Sequence, residues 1–206
     1  MTGGLARDEF AALGLAGIGV PDAGTAWERI GCRVTDGAVD LANGSLLLGV
    51  DGLVVTGGSD TELEGIPIRS GAERQQVEQP NGALGIDHLV LLTSSIARTS
   101  GAVEECLGLP CRRVRDTGSV RQAFHRFADS GESRGCIVEV VEDTRVPDGI
   151  ARLMGLVLVV ADLDALARRL GPDVVSEPKA AVQPGRSIAT VRRDVGLGTA
   201  VALMTP

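Results

Sequence analysis

The sequence predicts a mixed α+β fold built from repeated βαβββ modules, with an additional shorter module at the N-terminus. Three segments with helical character end in a glycine, at Gly31, Gly108 and Gly171. Glycine is the residue that most readily takes the left-handed conformation just beyond a helix. Twenty-nine residues separate Gly108 from the apolar run that starts at Ile137, and 29 also separate Gly171 from the run that starts at Ala200. Equal spacing of this kind indicates a repeated structural unit.

The repeat extends upstream of the glycines. The segments DAGTAWERIG, from Asp22, and DLDALARRLG, from Asp162, align without a gap. Each begins with an aspartate at the position expected of a helix N-cap, and each follows a run of residues typical of a strand. We therefore expect three modules, over residues 12–58, 86–142 and 153–205, of which the first lacks part of its strand region.

A polar segment divides the first module from the other two. Residues 70–85 have no hydrophobic period and contain the turn sequence Pro-Asn-Gly. We expect residues 1–79 to hold the short N-terminal module and the linker, and 84–206 to hold the paired modules, with helices near 99–107 and 163–170. An odd module leaves a sheet edge uncovered, which favours a homodimer or packing of that module on the main domain.

Composition excludes several classes of function. The chain has 206 residues, is 44% apolar and carries a formal net charge of −7, which disfavours binding to nucleic acids or anionic membranes. No apolar run approaches the roughly 18 residues of a membrane span, and the first residues lack the features of a secretory signal. A cytoplasmic location is expected. The four cysteines have no CxxC spacing, so they are expected to be buried thiols.

Three short runs carry a resemblance to a known family. They are GIDHLV, which begins at Gly85, CIVEVV, which begins at Cys136, and VVADLD, which begins at Val159. Paired βαβββ modules with a histidine in the first strand and a glutamate in the last resemble the vicinal oxygen chelate superfamily. This superfamily includes glyoxalase I, extradiol dioxygenases, methylmalonyl-CoA epimerase and the bleomycin-resistance binding proteins. The resemblance implies that two modules curve their sheets into a cup with a small-molecule site on its concave face.

The resemblance also implies a divalent metal site, for iron, zinc, manganese, nickel or cobalt. Its ligands come from the first and last strands of each module, so His88 and Glu139 are the expected metal ligands and catalytic residues. The third module departs from this pattern. By the shared spacing, Gly155 corresponds to His88 and Ala202 to Glu139. Half of the ligand set is missing, and two protein ligands are too few for a tight metal site.

This asymmetry leaves three interpretations open. In the first, His88 and Glu139 hold a metal together with a third residue, for which the candidates are Gln122, His125 and Gln183. In the second, the two residues form a metal-free acid/base pair in an apolar cup. In the third, they satisfy each other inside a ligand-binding pocket that performs no chemistry.

Residues that bind substrate are expected on the neighbouring strands and turns. Gln122 lies in the expected third strand of its module, and Gln183 and Arg186 lie at a Gln-Pro-Gly-Arg turn that can reach the rim of the cup. Five arginines between 112 and 126 either bind a carboxylate or phosphate or are solvated strand residues.

The expected function is that of a glyoxalase-like protein that binds a small oxygenated molecule. The expected chemistry is metal-assisted proton transfer, of the lyase or isomerase type. The alternatives are a non-catalytic protein that sequesters a small compound, as bleomycin-resistance proteins do, and a pseudoenzyme.

Overall fold

The computed structural model describes residues 13–129, 131 and 133–206, which form two mixed sheets. The beginning of the expected N-terminal module, before residue 13, lies outside the described residues. The first sheet has six strands in the order β2-β3-β1-β4-β6-β5, and one helix, α1 (Gly24–Arg29), follows its first strand. The strands are β1 (Gly14–Val20), β2 (Ala38–Leu41), β3 (Gly44–Leu48), β4 (Leu53–Thr56), β5 (Thr61–Leu63) and β6 (Ile66–Ser70).

The second sheet has eight strands in the order β12-β13-β14-β11-β7-β10-β9-β8. Its first module consists of β7 (Ala83–Thr93), α2 (Ile96–Leu107), β8 (Arg113–Asp116), β9 (Arg121–Arg126) and β10 (Ile137–Glu142). Its second consists of β11 (Ala151–Val160), α3 (Leu163–Leu170), β12 (Lys179–Ala180), β13 (Ser187–Thr190) and β14 (Ala200–Met204), with a 3₁₀ turn at Arg193–Val195. Both modules are βαβββ units, which confirms the predicted fold class.

The two modules are related by a pseudo-two-fold axis between their first strands. Strands β7 and β11 pair antiparallel in the middle of the sheet, and each pairs parallel with the last strand of its own module. In the first module His88 lies opposite Ile137, and in the second Gly155 lies opposite Ala200. The registers match, so the equal spacings in the sequence correspond to equivalent positions in space.

The N-terminal sheet is larger than the single incomplete module expected over residues 12–58. Strands β5 and β6 follow β4 without a helix and extend the sheet beyond residue 58 to Ser70. The turn between β5 and β6 has positive φ at both Glu64 and Gly65, as a tight hairpin turn requires. Glutamate is unusual at such a position, and for this reason the sequence does not signal the hairpin.

Of the two aspartates expected at helix N-caps, one is confirmed and one is wrong, and α2 begins at Ile96, three residues before the expected start near 99. Asp162 accepts a hydrogen bond from the amide of Ala165 at 2.8 Å, as an N-cap does. In α1 the N-cap is Ala23, and no side chain caps the helix. Asp22 instead accepts hydrogen bonds from the amides of Gly198 and Thr199. It therefore fixes the loop before β14 against the first sheet, because satisfying buried amides there is worth more than capping a six-residue helix.

The segment between the sheets is tied to the first sheet by specific contacts. Arg74 pairs with Asp40, with Nε 2.6 Å from Oδ1. The buried amide of Gln79 accepts from the backbone of Arg33 at 2.9 Å and donates to the carbonyl of Asp40 at 3.2 Å. Asn81 donates to the carbonyl of Ile30 at 3.2 Å. These contacts hold the segment against the first sheet.

A single hydrophobic core includes residues of both sheets. Trp27 of α1, Ile18 of the first sheet, and Leu89 and Val138 of the second sheet all belong to it and are fully buried. The four cysteines are free thiols, and burial raises the pKa of Cys32 to about 12. None of the helices in the described part of the chain is long and apolar enough to cross a membrane.

Candidate functional site

One face of the second sheet joins the core, and the other, which we call the open face, is only partly covered. The alternation of side chains along β10 shows the two faces. Val138 and Val140 are fully buried in the core, whereas Ile137, Glu139 and Val141 are half-buried on the open face. Glu139 is therefore a carboxylate on an otherwise apolar strip, as its position in the strand predicts.

His88 and Glu139 lie side by side on the open face. They come from neighbouring parallel strands, since His88 on β7 is opposite Ile137 on β10, two residues before Glu139. The Nε2 atom of His88 is 3.5 Å from Oε2 of Glu139, and each side chain is 13% exposed. The pair is therefore largely removed from water but accessible from the open face.

A bulge in β7 brings Asp87 beside His88. In the pairing with β11, His88 lies opposite Val157 and Ile86 lies opposite Leu158, so Asp87 has no partner in the ladder. A bulge of this kind turns a side chain from the face it would otherwise occupy. The Oδ2 atom of Asp87 is 2.7 Å from Nδ1 of His88. A carboxylate on Nδ1 fixes the orientation of the imidazole and leaves Nε2 directed at Glu139.

Arg186 supports Asp87 from behind. Its Nη1 donates to Oδ1 of Asp87 at 2.6 Å, and its Nε donates to the carbonyl of Thr205 at 2.8 Å. Burial raises the pKa of Asp87, but hydrogen bonds from His88 and Arg186, together with the positive charge of the guanidinium, outweigh the effect of burial and hold that pKa below the usual range. Arg186 is thus engaged by the protein, and the structure offers it as a positioning group for the Asp87 carboxylate.

Gln122 completes the network at its other end. Its Nε2 donates to Oε1 of Glu139 at 2.5 Å across neighbouring strands. Gln122, Phe124 and Arg126 alternate along β9 and lie opposite residues of the open face. The network therefore runs Gln122, Glu139, His88, Asp87, Arg186, and it contains four of the six residues that the sequence analysis named for the site; His125 and Gln183 lie outside it.

His125 lies on the other face and is wrong as a candidate third metal ligand. It is fully buried, and its Nδ1 and Nε2 contact the carbonyl of Leu109 at 2.8 Å and the hydroxyl of Ser100 at 3.1 Å. Burial lowers its pKa, which the backbone contact and the charge of Glu104 only partly offset. Strand alternation explains the misplacement, because the sequence of β9 does not say which of its faces is open.

We expect His125→Ala to reduce the free energy of unfolding by about 2–4 kcal/mol, because it leaves two buried groups without a partner and opens a cavity. A depressed pKa means that the native state loses stability as pH falls below the ordinary histidine value of about 6.5. The variant should lack that loss. Urea denaturation between about pH 5 and pH 7 measures both effects. Equal stability of variant and wild type would contradict a structural role.

Two adjoining cavities border the network. One, of about 620 Å³, is lined by Asp87, Arg186 and Gln183, and it also touches Asn43 of the first sheet. The other, of about 960 Å³, is lined by four arginines and Phe124. Ile137, Arg126 and Gln183 line both. Three residues of the network line neither cavity and lie beside them, next to Ile137: His88, Glu139 and Gln122. Of the predicted site residues, Gln183 is the one that lines both cavities.

The donor set does not fit a resident divalent metal. Among residues 13–129, 131 and 133–206, no group of three histidine, cysteine, aspartate or glutamate side chains is placed to hold one. His88 and Glu139 supply two donors, and Gln122 directs its amide nitrogen, which cannot ligate, at Glu139. The guanidinium of Arg186 adds positive charge to the same network. Two ligands beside a cation are too few for a tight site.

The equivalent half of the open face has no room for the missing ligands. A Cβ at Gly155 would clash with the backbone carbonyl of Ala200 on the neighbouring strand. Ala202 occupies the place equivalent to Glu139 and reaches no further than a methyl group. Two paired βαβββ modules, with a histidine on the first strand and a glutamate on the last strand of one of them, make up the fold that the resemblance to the vicinal oxygen chelate superfamily implies.

Solved structures similar to this chain include members of that superfamily. Methylmalonyl-CoA epimerase from Streptomyces coelicolor is 20% identical with a TM-score of 0.48, over 60% of this chain and 97% of that one. The epimerase from Mycobacterium tuberculosis is 17% identical with a TM-score of 0.47, over 61% and 89%. A hypothetical protein from Bacillus halodurans is 18% identical with a TM-score of 0.44, over 59% and 93%. No protein-family profile and no curated protein matches the sequence.

Asp87 is the functional candidate that sequence reasoning missed. In a regular strand, consecutive side chains point to opposite faces, so a residue next to His88 is expected on the core side. A buried aspartate at such a position needs partners, and that requirement was the available signal. Arg186, which is 99 residues away in the chain, supplies one of them.

Proposed function

We propose that this chain is a glyoxalase-like protein that moves a proton at a carbon next to the carbonyl group of a small molecule, without a resident metal ion. The observation that carries the proposal is the pairing of Glu139 with an imidazole that Asp87 orients. Proton transfer at such a carbon is lyase or isomerase chemistry. It needs a base for the carbon and an acid for the oxygen, and positioned groups of this kind supply both.

The roles follow from the contacts. The carboxylate of Glu139 removes a proton from the carbon, the electron pair of that C–H bond forms the C=C bond of an enolate, and the π pair of the carbonyl moves onto its oxygen. His88 donates its Nδ1–H to Asp87, and in the protonated imidazolium form it also carries a proton on Nε2, which it can deliver to the developing oxyanion to leave the neutral imidazole. Gln122 holds the Glu139 carboxylate in place through Oε1 and leaves Oε2 beside the imidazole. The apolar residues around the pair keep water from competing for the proton.

The alternative is a protein that binds the same kind of molecule without transforming it. The contact that favours it is the short hydrogen bond from Gln122, which together with His88 already satisfies the Glu139 carboxylate. Both oxygens of the carboxylate are then in contact with protein groups, as they would be in a pocket that only binds its ligand.

That the protein is a cytoplasmic homodimer remains a prediction. Light scattering of the purified protein measures its mass and so tests whether it is a dimer.

Proton exchange in D₂O tests the proposed function. Chelator-treated protein is incubated with a panel of 2-oxo acids, hydroxyketones and neutral ketones, and proton NMR follows loss of the signal of the hydrogen next to the carbonyl. We expect exchange above the buffer rate for at least one compound, with far less than one metal ion per chain by elemental analysis. Exchange that appears only after zinc, iron, manganese, nickel or cobalt is added would establish metal-assisted chemistry. Binding without exchange would establish the alternative.

A further inference from the structure

We propose that the ligand of the open face carries an anionic group, a carboxylate or a phosphate, and that Arg113 and Arg115 bind it. This rests on the proposed function for the identity of the site, but its own basis is a separate set of residues. The two arginines lie on β8, at the edge of the sheet, and both line the 960 Å³ cavity. The chemistry is that of guanidinium groups, which bind planar or tetrahedral oxyanions through paired N–H donors.

The register of β8 places both arginines on the open face. Arg113 lies opposite Phe124 and Arg115 lies opposite Gln122. Residues directly opposite in an antiparallel pair share a face of the sheet, and alternate residues of a strand do as well. Gln122 is the residue that holds Glu139. The guanidinium groups therefore stand on the same surface as the acid/base pair, two strands away from Glu139.

The charges of this region leave the two arginines available to a ligand. Arg121 pairs with Glu142, and Arg126 pairs with Asp129. Neither Arg113 nor Arg115 has an ion pair with a carboxylate of any residue that the structure describes. In a chain with a net charge of −7, two such cations on one cavity wall attract an anion to a place where the protein as a whole repels it.

The separation also suits a small molecule with a charged end and a reactive end. Neighbouring strands are about 4.8 Å apart, so β8 and β10 are separated by roughly twice that distance. Phe124 of β9 lies between them, and Ile137 lies on β10, two residues before Glu139; both are on the open face and line the cavity. A short carbon skeleton can cross this apolar strip, with its anionic group at the arginines and its carbonyl group at Glu139.

The test is a binding measurement with three probes: acetate, inorganic phosphate and neutral acetone. Titrations followed by two-dimensional NMR compare the wild type with the double variant Arg113→Ala, Arg115→Ala. We expect at least one anion to bind the wild type more tightly than acetone does, and the double variant to bind it about tenfold more weakly or worse. Added salt should weaken binding to the wild type. The affinities for acetate and for phosphate, compared in the wild type, show which oxyanion the site prefers.

Two further variants keep the result interpretable. Arg168→Ala removes the same charge from an exposed position on α3, and it should leave anion binding unchanged. The pair Arg113→Lys, Arg115→Lys keeps the charge but not the paired donors, and it should restore binding in part. Equal binding of anions and acetone, or an equal loss in Arg168→Ala, would overturn the proposal. Because binding is measured without turnover, anion binding in a protein that exchanges no proton would refute only the proposed function.

Discussion

Glu139→Gln should reduce the rate of proton exchange by about 100-fold or more, which is the usual contribution of a positioned general base. The substitution keeps the size and shape of the side chain and removes its charge and its basicity. Gln122 can still form a hydrogen bond with the amide oxygen at this position, so the fold should be retained. Exchange of the best substrate in D₂O measures the effect, and thermal unfolding measures the stability.

Glu105→Gln is the matched control for this variant. Glu105 is exposed on α2, so the same change of charge occurs far from the open face. We expect its exchange rate to equal that of the wild type. If Glu139→Gln kept a rate within a few-fold of the wild type, the carboxylate would not be the base, and the binding function would be the better description of the site.

Much of the second sheet is predictable because its repeat is regular. Gly108 and Gly171 predict where two helices end. The helices found, 96–107 and 163–170, each end at the residue directly before one of these glycines. The equal distances from these glycines to Ile137 and Ala200 then fix the register of the last strands. Alternation of side chains places Ile137, Glu139 and Val141 on one face of the last strand, whereas the expectation that His88 lies on the same face came from the resemblance to the superfamily.

What the sequence does not reveal is where the repeat is broken. The bulge at Asp87 changes the direction of one side chain and leaves no mark in the hydrophobic pattern. The partner of Asp87 is Arg186, and a contact between residues so far apart depends on the complete sheet. The strands β5 and β6, which lie beyond the expected first module, are missed for a different reason. They are short and partly polar, and their turn at Glu64 has no asparagine or aspartate to announce it.

Arg186 contributes both to the candidate site and to the stability of the fold. The guanidinium contacts Asp87, which orients His88, and the carbonyl of Thr205, which anchors the end of the chain next to β14. The turn sequence suggested Arg186 as a group that reaches substrate. Arg186 makes two contacts with the protein, and only 16% of its side chain is exposed. Its role in holding the network in place is therefore more important than a role in reaching substrate.

Arg186→Met should reduce the free energy of unfolding at neutral pH by about 2–3 kcal/mol, because it leaves the Asp87 carboxylate with one partner fewer in a largely buried site. The effect should also depend on pH. In the wild type the pKa of Asp87 is lowered, so its stabilisation is complete above the unfolded-state value of about 3.9 and is lost as pH falls toward the lower native value. Without Arg186 the effect of burial remains, so the pKa of Asp87 rises and acid unfolding should begin at a higher pH.

Urea denaturation at a series of pH values from about 3 to 7 measures both effects in one experiment. Arg145→Met is the control, because Arg145 forms a similar ion pair with Asp143 at 2.7 Å but has 89% of its side chain exposed. Exposed pairs contribute little, so this variant should unfold at the same urea concentration as the wild type. A loss as large in Arg145→Met, or an unchanged acid transition in Arg186→Met, would mean that Asp87 does not depend on Arg186. The orientation of His88 would then have to come from elsewhere in the fold.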